Sequence, residues 1–215
     1  MRHDLIEQTE NFVRHELGDD ATGHDWYHIE RVRRNALNIC SEENEGNTFI
    51  IEMAALLHDI PDEKLNDSAE KGAEKLESFL ATLDMSDEAK IHIKNIIFTI
   101  SFKGGVKSEL DTIEAKIVQD ADRLDAIGAI GIARAFAFGG KKGQPIYDPD
   151  LAVREKMTIQ EYRKGKSSSV NHFYEKLLKL KEKMNTKTAS RMAEERHKRM
   201  EQFLEQFYSE WNGQS

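Results

Sequence analysis

The sequence predicts an all-α fold. Apolar residues recur at helical rather than alternating spacing, and only three prolines occur in the 215 residues. Charged residues make up 33% of the chain, which suits amphipathic helices with solvated outer faces. A chain of this length corresponds to about one domain and can bury one large core. We therefore expect a single all-α domain over residues 1–215.

The first three predicted helices each have a recognisable end. Apolar residues between Leu5 and Leu17 follow helical spacing, and Gly18 is the predicted end of that helix. A second helix follows the segment 23–28 and presents an apolar face. The third is the apolar run over residues 49–57, which Pro61 breaks because proline cannot continue the hydrogen-bond ladder.

Three more helices are predicted in the middle of the chain. One covers residues 68–83, and the next begins after Ser86, a predicted N-cap followed by two acids in the first turn. A third runs from about Thr112 to Asp125.

Residues 139–169 are predicted to form a flexible loop or lid. The segment contains several glycines, two of the three prolines and a run of three serines, and it is too long for an ordinary connection. Two C-terminal helices are predicted over residues 170–212. Their apolar stripes either complete the core or form a homodimer interface.

The composition excludes several classes of partner. The formal net charge of −8 argues against general binding of nucleic-acid polymers or of anionic membranes. Cys40 is the single cysteine, so no intrachain disulfide can form. The N-terminal residues lack the apolar stretch of a signal peptide, and no apolar run reaches membrane-spanning length. We expect a soluble cytoplasmic protein.

The most informative feature is the doublet His58-Asp59 at the end of the apolar run. An unpaired carboxylate is costly to bury, and a bound metal removes that cost. Imidazole suits transition metals and carboxylate suits harder divalent ions, so the doublet indicates a mixed nitrogen and oxygen site. The alternative is that the two residues close a helix at the surface.

Further candidate ligands lie on two other predicted helices. His24 and His28 share a face if both are helical, and His28 stands beside apolar residues that face the core. The helix ending at Asp125 also carries Asp120 and Asp122, which is more acid than a buried face tolerates. Either a metal binds there, or Arg123 and neighbouring lysines neutralise the acids. Spacing alone does not separate the three aspartates.

The order His28, His58-Asp59, Asp122 resembles the signature of HD-domain metal-dependent phosphohydrolases. The flanking segments resemble the family motifs as well; they read GHDWYHIERV (23–32), ALLHDI (55–60) and QDADRLDAIG (119–128). The C-terminal helices resemble the extension of a small bacterial subgroup of that family. The resemblance implies an HD-domain helical bundle, with the HD core over residues 5–135 and a C-terminal helical extension.

By the same resemblance the metal ligands are His28, His58, Asp59 and Asp122. One divalent transition metal per chain is expected. The mixed donor set favours manganese, with cobalt, nickel, iron and magnesium as alternatives, over a closed structural zinc site. Asp25 and Asp120 are candidates for orienting the ligands.

The resemblance also implies the chemistry. The acids after Pro61, Asp62 and Glu63, are the expected catalytic pair, with Asp62 as the general base; a solvated turn is the alternative. His24, Lys103 and Lys176 are candidates for binding substrate phosphate. The implied substrate is a nucleoside or deoxynucleoside triphosphate, cleaved to monophosphate and pyrophosphate. Alternatives are another phosphomonoester or phosphodiester, such as a nucleoside monophosphate, cyclic nucleotide or alarmone, or a catalytically silent nucleotide-sensing module.

Overall fold

The computed structural model describes residues 2–17, 25–62, 65–100, 110–154 and 165–214. Over these residues the chain forms nine α-helices and no strand, so the all-α expectation is confirmed. The helices are α1 (Arg2–Leu17), α2 (Trp26–Glu43), α3 (Thr48–Leu57), α4 (Ala69–Thr82), α5 (Asp87–Ile100), α6 (Ile113–Asp125), α7 (Gly128–Lys141), α8 (Ser169–Glu175) and α9 (Lys187–Trp211). None of these helices is both long and apolar enough to cross a membrane.

The chain divides into two compact units, Met1–Asp122 and Arg123–Ser215. The first, the N-terminal unit, holds α1 to α5 and most of α6. The second, the C-terminal unit, holds the end of α6, the helices α7 to α9 and two 3₁₀ turns, Leu177–Lys179 and Lys181–Lys183. The expectation of one domain with a core over residues 5–135 stays a prediction.

Helix α3 is the centre of the N-terminal unit. Seven of its ten residues are buried, and it contacts α1, α2 and α5. A helix that is apolar on all sides is stable in water only when other helices surround it. Its sequence therefore dictates its central position, and the residues that follow its last turn emerge inside the unit.

The ends of α2 and α3 are fixed by capping side chains. The Asp25 carboxylate accepts from the backbone N–H of His28 at 2.9 Å and caps α2. Asn44 ends α2 in the left-handed region, with φ at 54°, which asparagine tolerates better than most residues. The side-chain oxygen of Asn47, Oδ1, accepts from two backbone N–H groups of the first turn of α3. These caps fix both ends of α2 and the start of α3, and with them the positions of the residues nearby.

Helix α4 holds the turn that follows the doublet. Gly72 of α4 lies so close to this turn that a Cβ there would stand 2.6 Å from the Pro61 carbonyl oxygen. The Asn66 amide donates to the carbonyls of Ile60 and Asp62 at 2.8 and 2.9 Å. The Asn66 side chain therefore holds the turn after the doublet, and the close approach of this turn to α4 requires a residue without a Cβ at position 72.

Replacing Gly72 with alanine should destabilise the protein. The added methyl must displace the Pro61 backbone, at a cost of about 1–3 kcal/mol, which exceeds the gain of about 1 kcal/mol from helix propensity. Urea denaturation measures the change. Gly140→Ala is the matched control, because no atom in the described part of the chain lies within 4 Å of a Cβ at that position. Equal stability of the two variants would contradict this account of the turn.

The core of the C-terminal unit is aromatic. Phe136 of α7, Phe173 of α8 and Phe203 of α9 lie with ring centroids 5.7–6.0 Å apart. Helix α7 was not among the predicted helices, and it contacts both α8 and α9. The predicted helix from residue 170 is shorter than expected, since it ends at Glu175 and continues as two 3₁₀ turns.

The predicted loop 139–169 is partly helical at both ends. Gly139 lies within α7 and Ser169 begins α8. The two residues pack together, since a Cβ on Gly139 would stand 2.1 Å from the Ser169 Oγ. Backbone N–H groups of Ser169 and Val170 donate to the carbonyls of Pro145 and Ile146, at 3.0 Å each. Residues 155–164 lie outside the described residues, so the lid stays a prediction.

Glu175 ties together two chain segments of the C-terminal unit. Its carboxylate, 1% exposed, accepts from the Arg154 guanidinium at 2.8 and 2.7 Å and from the Ser167 hydroxyl at 3.1 Å. The Arg154 backbone N–H also donates to it at 3.3 Å. Although burial opposes the shift, these donors lower the pKa of Glu175 below its usual 4.5.

His172, in the same helix as Glu175, should make the protein sensitive to mild acid. Burial and the nearby charge of Lys176 lower its pKa from 6.5 to about 4, against the opposing effect of Glu175. Between these two pH values the unfolded chain binds about one more proton here than the folded protein, so stability falls as the pH falls. His172→Gln should flatten that dependence in urea denaturation from pH 7 to pH 4, whereas the exposed His15→Gln should not. Identical profiles for the wild type and His172→Gln would contradict it.

Candidate metal centre

Three helices of the N-terminal unit bring the predicted ligands together. His28 lies in the first turn of α2, where the Asp25 cap fixes the backbone. His58 is the C-cap of the central helix α3, and Asp59 follows it. Asp122 lies in the last turn of α6, whose opposite stripe is buried and whose Ala121 carbonyl accepts from the Asn35 amide of α2 at 3.5 Å.

The four side chains face one another. His28 Nε2 lies 3.4 Å from Asp59 Oδ2 and 3.6 Å from Asp122 Oδ1. His58 Nε2 lies 3.4 Å from Asp59 Oδ1 and 3.8 Å from Asp122 Oδ1. One ligand atom from each of His28, His58 and Asp59 lies within 4.8 Å of the others. Donors that share one small cation at about 2.1 Å stand at comparable separations.

The tautomer of His58 is fixed by a backbone carbonyl. Its Nδ1 lies 2.8 Å from the Ala55 carbonyl oxygen. A carbonyl can only accept, so Nδ1 carries a proton and the neutral ring presents a lone pair on Nε2. A histidine that binds a metal is commonly held in this way through its other nitrogen.

Among the described residues, the buried Nε2 atom of His58 has no hydrogen-bond partner. Its lone pair faces the carboxylate oxygens of Asp59 and Asp122, which are acceptors too. Acceptors that converge in a buried place repel one another unless a cation lies among them. The two imidazoles and two carboxylates therefore fit a divalent metal by chemistry and by arrangement.

The four predicted ligands differ in how far they are exposed. The side chains of His28 and His58 are 1% and 4% exposed, and that of Asp59 is 14% exposed. Asp122 is 47% exposed. Asp122 is therefore the most exposed of the four predicted ligands, and the two imidazoles are the most buried.

The structure separates the three aspartates that spacing could not. Asp122 joins the cluster, whereas Asp125 is 1% exposed and accepts from the Arg134 guanidinium at 2.6 Å. A nearby cation therefore neutralises Asp125, which was the alternative to a bound metal, but that cation is Arg134 rather than the expected Arg123. Asp120 is fully buried.

The remaining predicted residues are placed unevenly. Asp62 is half-buried, and its backbone N–H donates to the Asp59 carbonyl at 3.0 Å. This hydrogen bond closes a turn between the doublet and Asp62. Lys176 is exposed in the C-terminal unit. His24, Glu63 and Lys103 lie outside the described residues. Their roles stay predictions.

Sequence reasoning missed the groups that hold the doublet in place. The Ala55 carbonyl orients His58, and the Asp25 carboxylate accepts from the His28 backbone N–H. The expected orienting roles of the Asp25 and Asp120 side chains stay predictions. The position of His58 contains a signal, because a helix leaves its last four carbonyls without intrahelical partners and a C-cap side chain can reach them. Asn66 and Gly72, which fix the turn after the doublet, carry no comparable signal.

Comparison with known proteins supports the same family. The model of the HD domain family matches residues 25–127. YpgQ of Bacillus subtilis (strain 168) is 41% identical over 202 residues, covering 93% of this chain and 90% of YpgQ. A structure named HD-superfamily hydrolase from Bacillus thuringiensis is 50% identical with a TM-score of 0.78, and covers 99% of both chains.

A structure of Bacillus subtilis YpgQ in complex with ADP is also similar. It has a TM-score of 0.78 and 39% identity, and the match covers 98% of this chain and all of that one (100%). All four predicted ligands fall within the residues that the family model matches. The chain belongs to the HD domain family.

Proposed function

We propose that this protein is a divalent-metal-dependent phosphohydrolase that cleaves nucleoside or deoxynucleoside triphosphates to monophosphate and pyrophosphate. The cluster of His28, His58, Asp59 and Asp122 carries the proposal, because its converging donors require a cation. The likeness to a protein named HD-superfamily hydrolase supports hydrolysis. The ADP complex of YpgQ supports a nucleotide as the ligand.

The four ligands would hold the metal, with manganese as the first choice. When bound, a divalent metal polarises a phosphoryl group and makes water a stronger nucleophile. His58 presents Nε2 because Ala55 holds the proton on Nδ1. Asp122 is the most exposed of the four ligands, so a phosphate that reaches it could leave the imidazoles buried.

In the proposed reaction a water oxygen bonds to the α-phosphorus and the bond to the bridging oxygen breaks. Pyrophosphate leaves with that electron pair, and the water loses a proton. Asp62 is the proposed base, since the Asp59 carbonyl and the Asn66 amide fix its backbone beside the doublet. Glu63 is the second acid of the proposal, and His24, Lys103 and Lys176 are its proposed phosphate-binding cations.

The experiment measures phosphate and pyrophosphate release from nucleoside triphosphates, monophosphates and phosphodiesters. Metal-stripped protein receives manganese, cobalt, nickel, iron, magnesium or zinc. Asp59→Asn serves as the inactive variant and Asp84→Asn as the control, because Asp84 is exposed outside the cluster. Pyrophosphate and monophosphate in equal amounts, lost only in Asp59→Asn, is the expected result.

Other results redirect or overturn the proposal. Turnover of monophosphates or diesters alone would keep the metal chemistry and reject the triphosphate. Nucleotide binding without turnover under every metal would favour a sensing module. Absence of metal binding would reject the proposal as a whole.

A further inference from the structure

Helix α9 has one buried face and one exposed, charged face. Its buried residues, among them Ala193, Met200 and Leu204, pack into the core of the C-terminal unit. The apolar stripe of this helix is therefore covered within the chain itself. Exposed positions recur at helical spacing from Lys187 to Glu210, so the charged face extends along the 25 residues of the helix, a length of about 37 Å.

The exposed charges are divided between the two halves of the helix. Over residues 187–199 they are four cations and two acids, and over residues 200–211 they are three acids and no cation. The exposed cations are Lys187, Arg191, Lys198 and Arg199, and the acids of the second half are Glu201, Glu205 and Glu210. The charged face of α9 is therefore positive in its first half and negative in its second.

The ion pairs within the first half leave its sign unchanged. Glu194 lies 3.9 Å from Lys198 and 3.2 Å from Lys181, which precedes the helix. Glu195 lies 3.8 Å from Arg199. Both acids thus pair with cations at the same end of the helix, and Lys181 adds a further positive charge there.

This order of charges is the reverse of the order that stabilises a helix. The N-terminus of a helix carries a partial positive charge and the C-terminus a partial negative one, so acids favour the first turn and cations the last. Every residue of α9 is described, and the helix has no acid in its first turn and no cation in its last. Lys187 and Glu210 lie there instead, so the charge order lowers the stability of α9, and a partner with the opposite order would offset that loss.

An exposed aromatic side chain lies at the negative end. Trp211, which directly follows Glu210, is 52% exposed although its ring packs edge-on against Tyr147 at 5.0 Å. Ile146, the neighbour of Tyr147, is 59% exposed. Tryptophan is among the residues that most often anchor protein interfaces, and the face of its ring attracts lysine and arginine side chains. The negative end of α9 therefore offers apolar area as well as charge.

We propose that α9 pairs with α9 of a second copy of this chain, in antiparallel orientation, to form a homodimer with two-fold symmetry. In such a pair the positive half of each helix faces the negative half of the other, so one charge pattern serves both contacts. Trp211 of each copy then lies against the positive half of the other. A parallel pair would instead set like charges against each other. The proposal does not depend on the proposed hydrolysis.

Sedimentation velocity of the full chain from about 1 to about 100 µM tests the pairing, and a monomer–dimer equilibrium is the expected result. The variant Glu205→Lys/Glu210→Lys should weaken the dimer at least about tenfold, because like charges then face each other in both contacts. Reversal of the positive half in Lys187→Glu/Lys198→Glu should have the same effect. An equimolar mixture of the two variants should dimerise again, since each reversed half then meets a reversed half of opposite charge.

The control and a second measurement complete the test. Glu7→Lys/Glu74→Lys makes the same charge change as the first variant at exposed positions of the N-terminal unit, and it should alter the dissociation constant less than about twofold. In a Trp26→Phe chain the emission of Trp211 should shift to shorter wavelength as the dimer forms, because pairing removes part of its ring from water. A wild type that stays monomeric, an equal loss in the control, or a mixture that stays monomeric would each overturn the proposal.

Discussion

Replacing His58 with alanine is expected to abolish metal binding and to lower kcat/KM at least about 1000-fold. The variant loses the Nε2 donor and leaves the carboxylates of Asp59 and Asp122 facing an empty volume. A catalytic metal stabilises the transition state by several kcal/mol, and each 1.4 kcal/mol is about a factor of ten in rate. Elemental analysis of the purified variant and steady-state kinetics with added manganese measure the two effects.

Two further variants separate metal loss from misfolding. Asp59→Asn keeps the size of the side chain and removes its charge, so it should lose the metal while circular dichroism stays unchanged. The exposed His15→Ala should keep both the metal and the activity. Full metal content and normal turnover in His58→Ala would show that the cluster is not the metal centre.

Replacing Glu175 with glutamine is expected to destabilise the protein by about 3 kcal/mol. The substitution leaves the Arg154 guanidinium without its bidentate partner, and removal of one member of a buried ion pair typically costs about 3–5 kcal/mol. Arg154 is 22% exposed and can partly rehydrate, which places the loss at the lower end. For a chain of this size the thermal midpoint should fall by about 10 °C.

The control and the pH dependence sharpen this test. Glu194→Gln breaks an exposed ion pair in the same unit and should cost less than about 1 kcal/mol. The folded pKa of Glu175 lies below 4.5, so its contribution is present above that pH and disappears as the pH falls through the folded value. The stability gap between the wild type and Glu175→Gln should therefore close in acid. Equal effects of the two variants at pH 7 would contradict the account.

The sequence predicted which residues converge in the N-terminal unit better than it predicted the helices of the C-terminal unit. A helix that is apolar on all faces must be central, so the doublet that follows it had to lie inside the N-terminal unit. The choice of Asp122 needed the family resemblance, because the contact that sets Asp125 apart is made with Arg134, a residue of another helix. The spacing of residues within one helix cannot predict such a contact with another helix.

Local sequence patterns did not predict helix α7. Its four glycines argue against a helix by propensity alone. Two of them are required by packing: a Cβ on Gly131 would stand 2.2 Å from the Ala126 carbonyl oxygen, and one on Gly139 would meet Ser169. Tertiary contacts decide the structure of this segment, and they become visible only once the chain is folded.

Each unit contains one of the two tryptophans, so each unit has its own intrinsic fluorescence probe. Trp26 is 8% exposed at the start of α2, with the Arg14 guanidinium 3.7 Å above its ring, whereas Trp211 is 52% exposed at the end of α9 beside Tyr147. Their fluorescence should therefore differ in wavelength and in access to quenchers. Single-tryptophan versions, Trp26→Phe and Trp211→Phe, would let each unit report its own unfolding and show whether the chain melts as one cooperative body or in two steps.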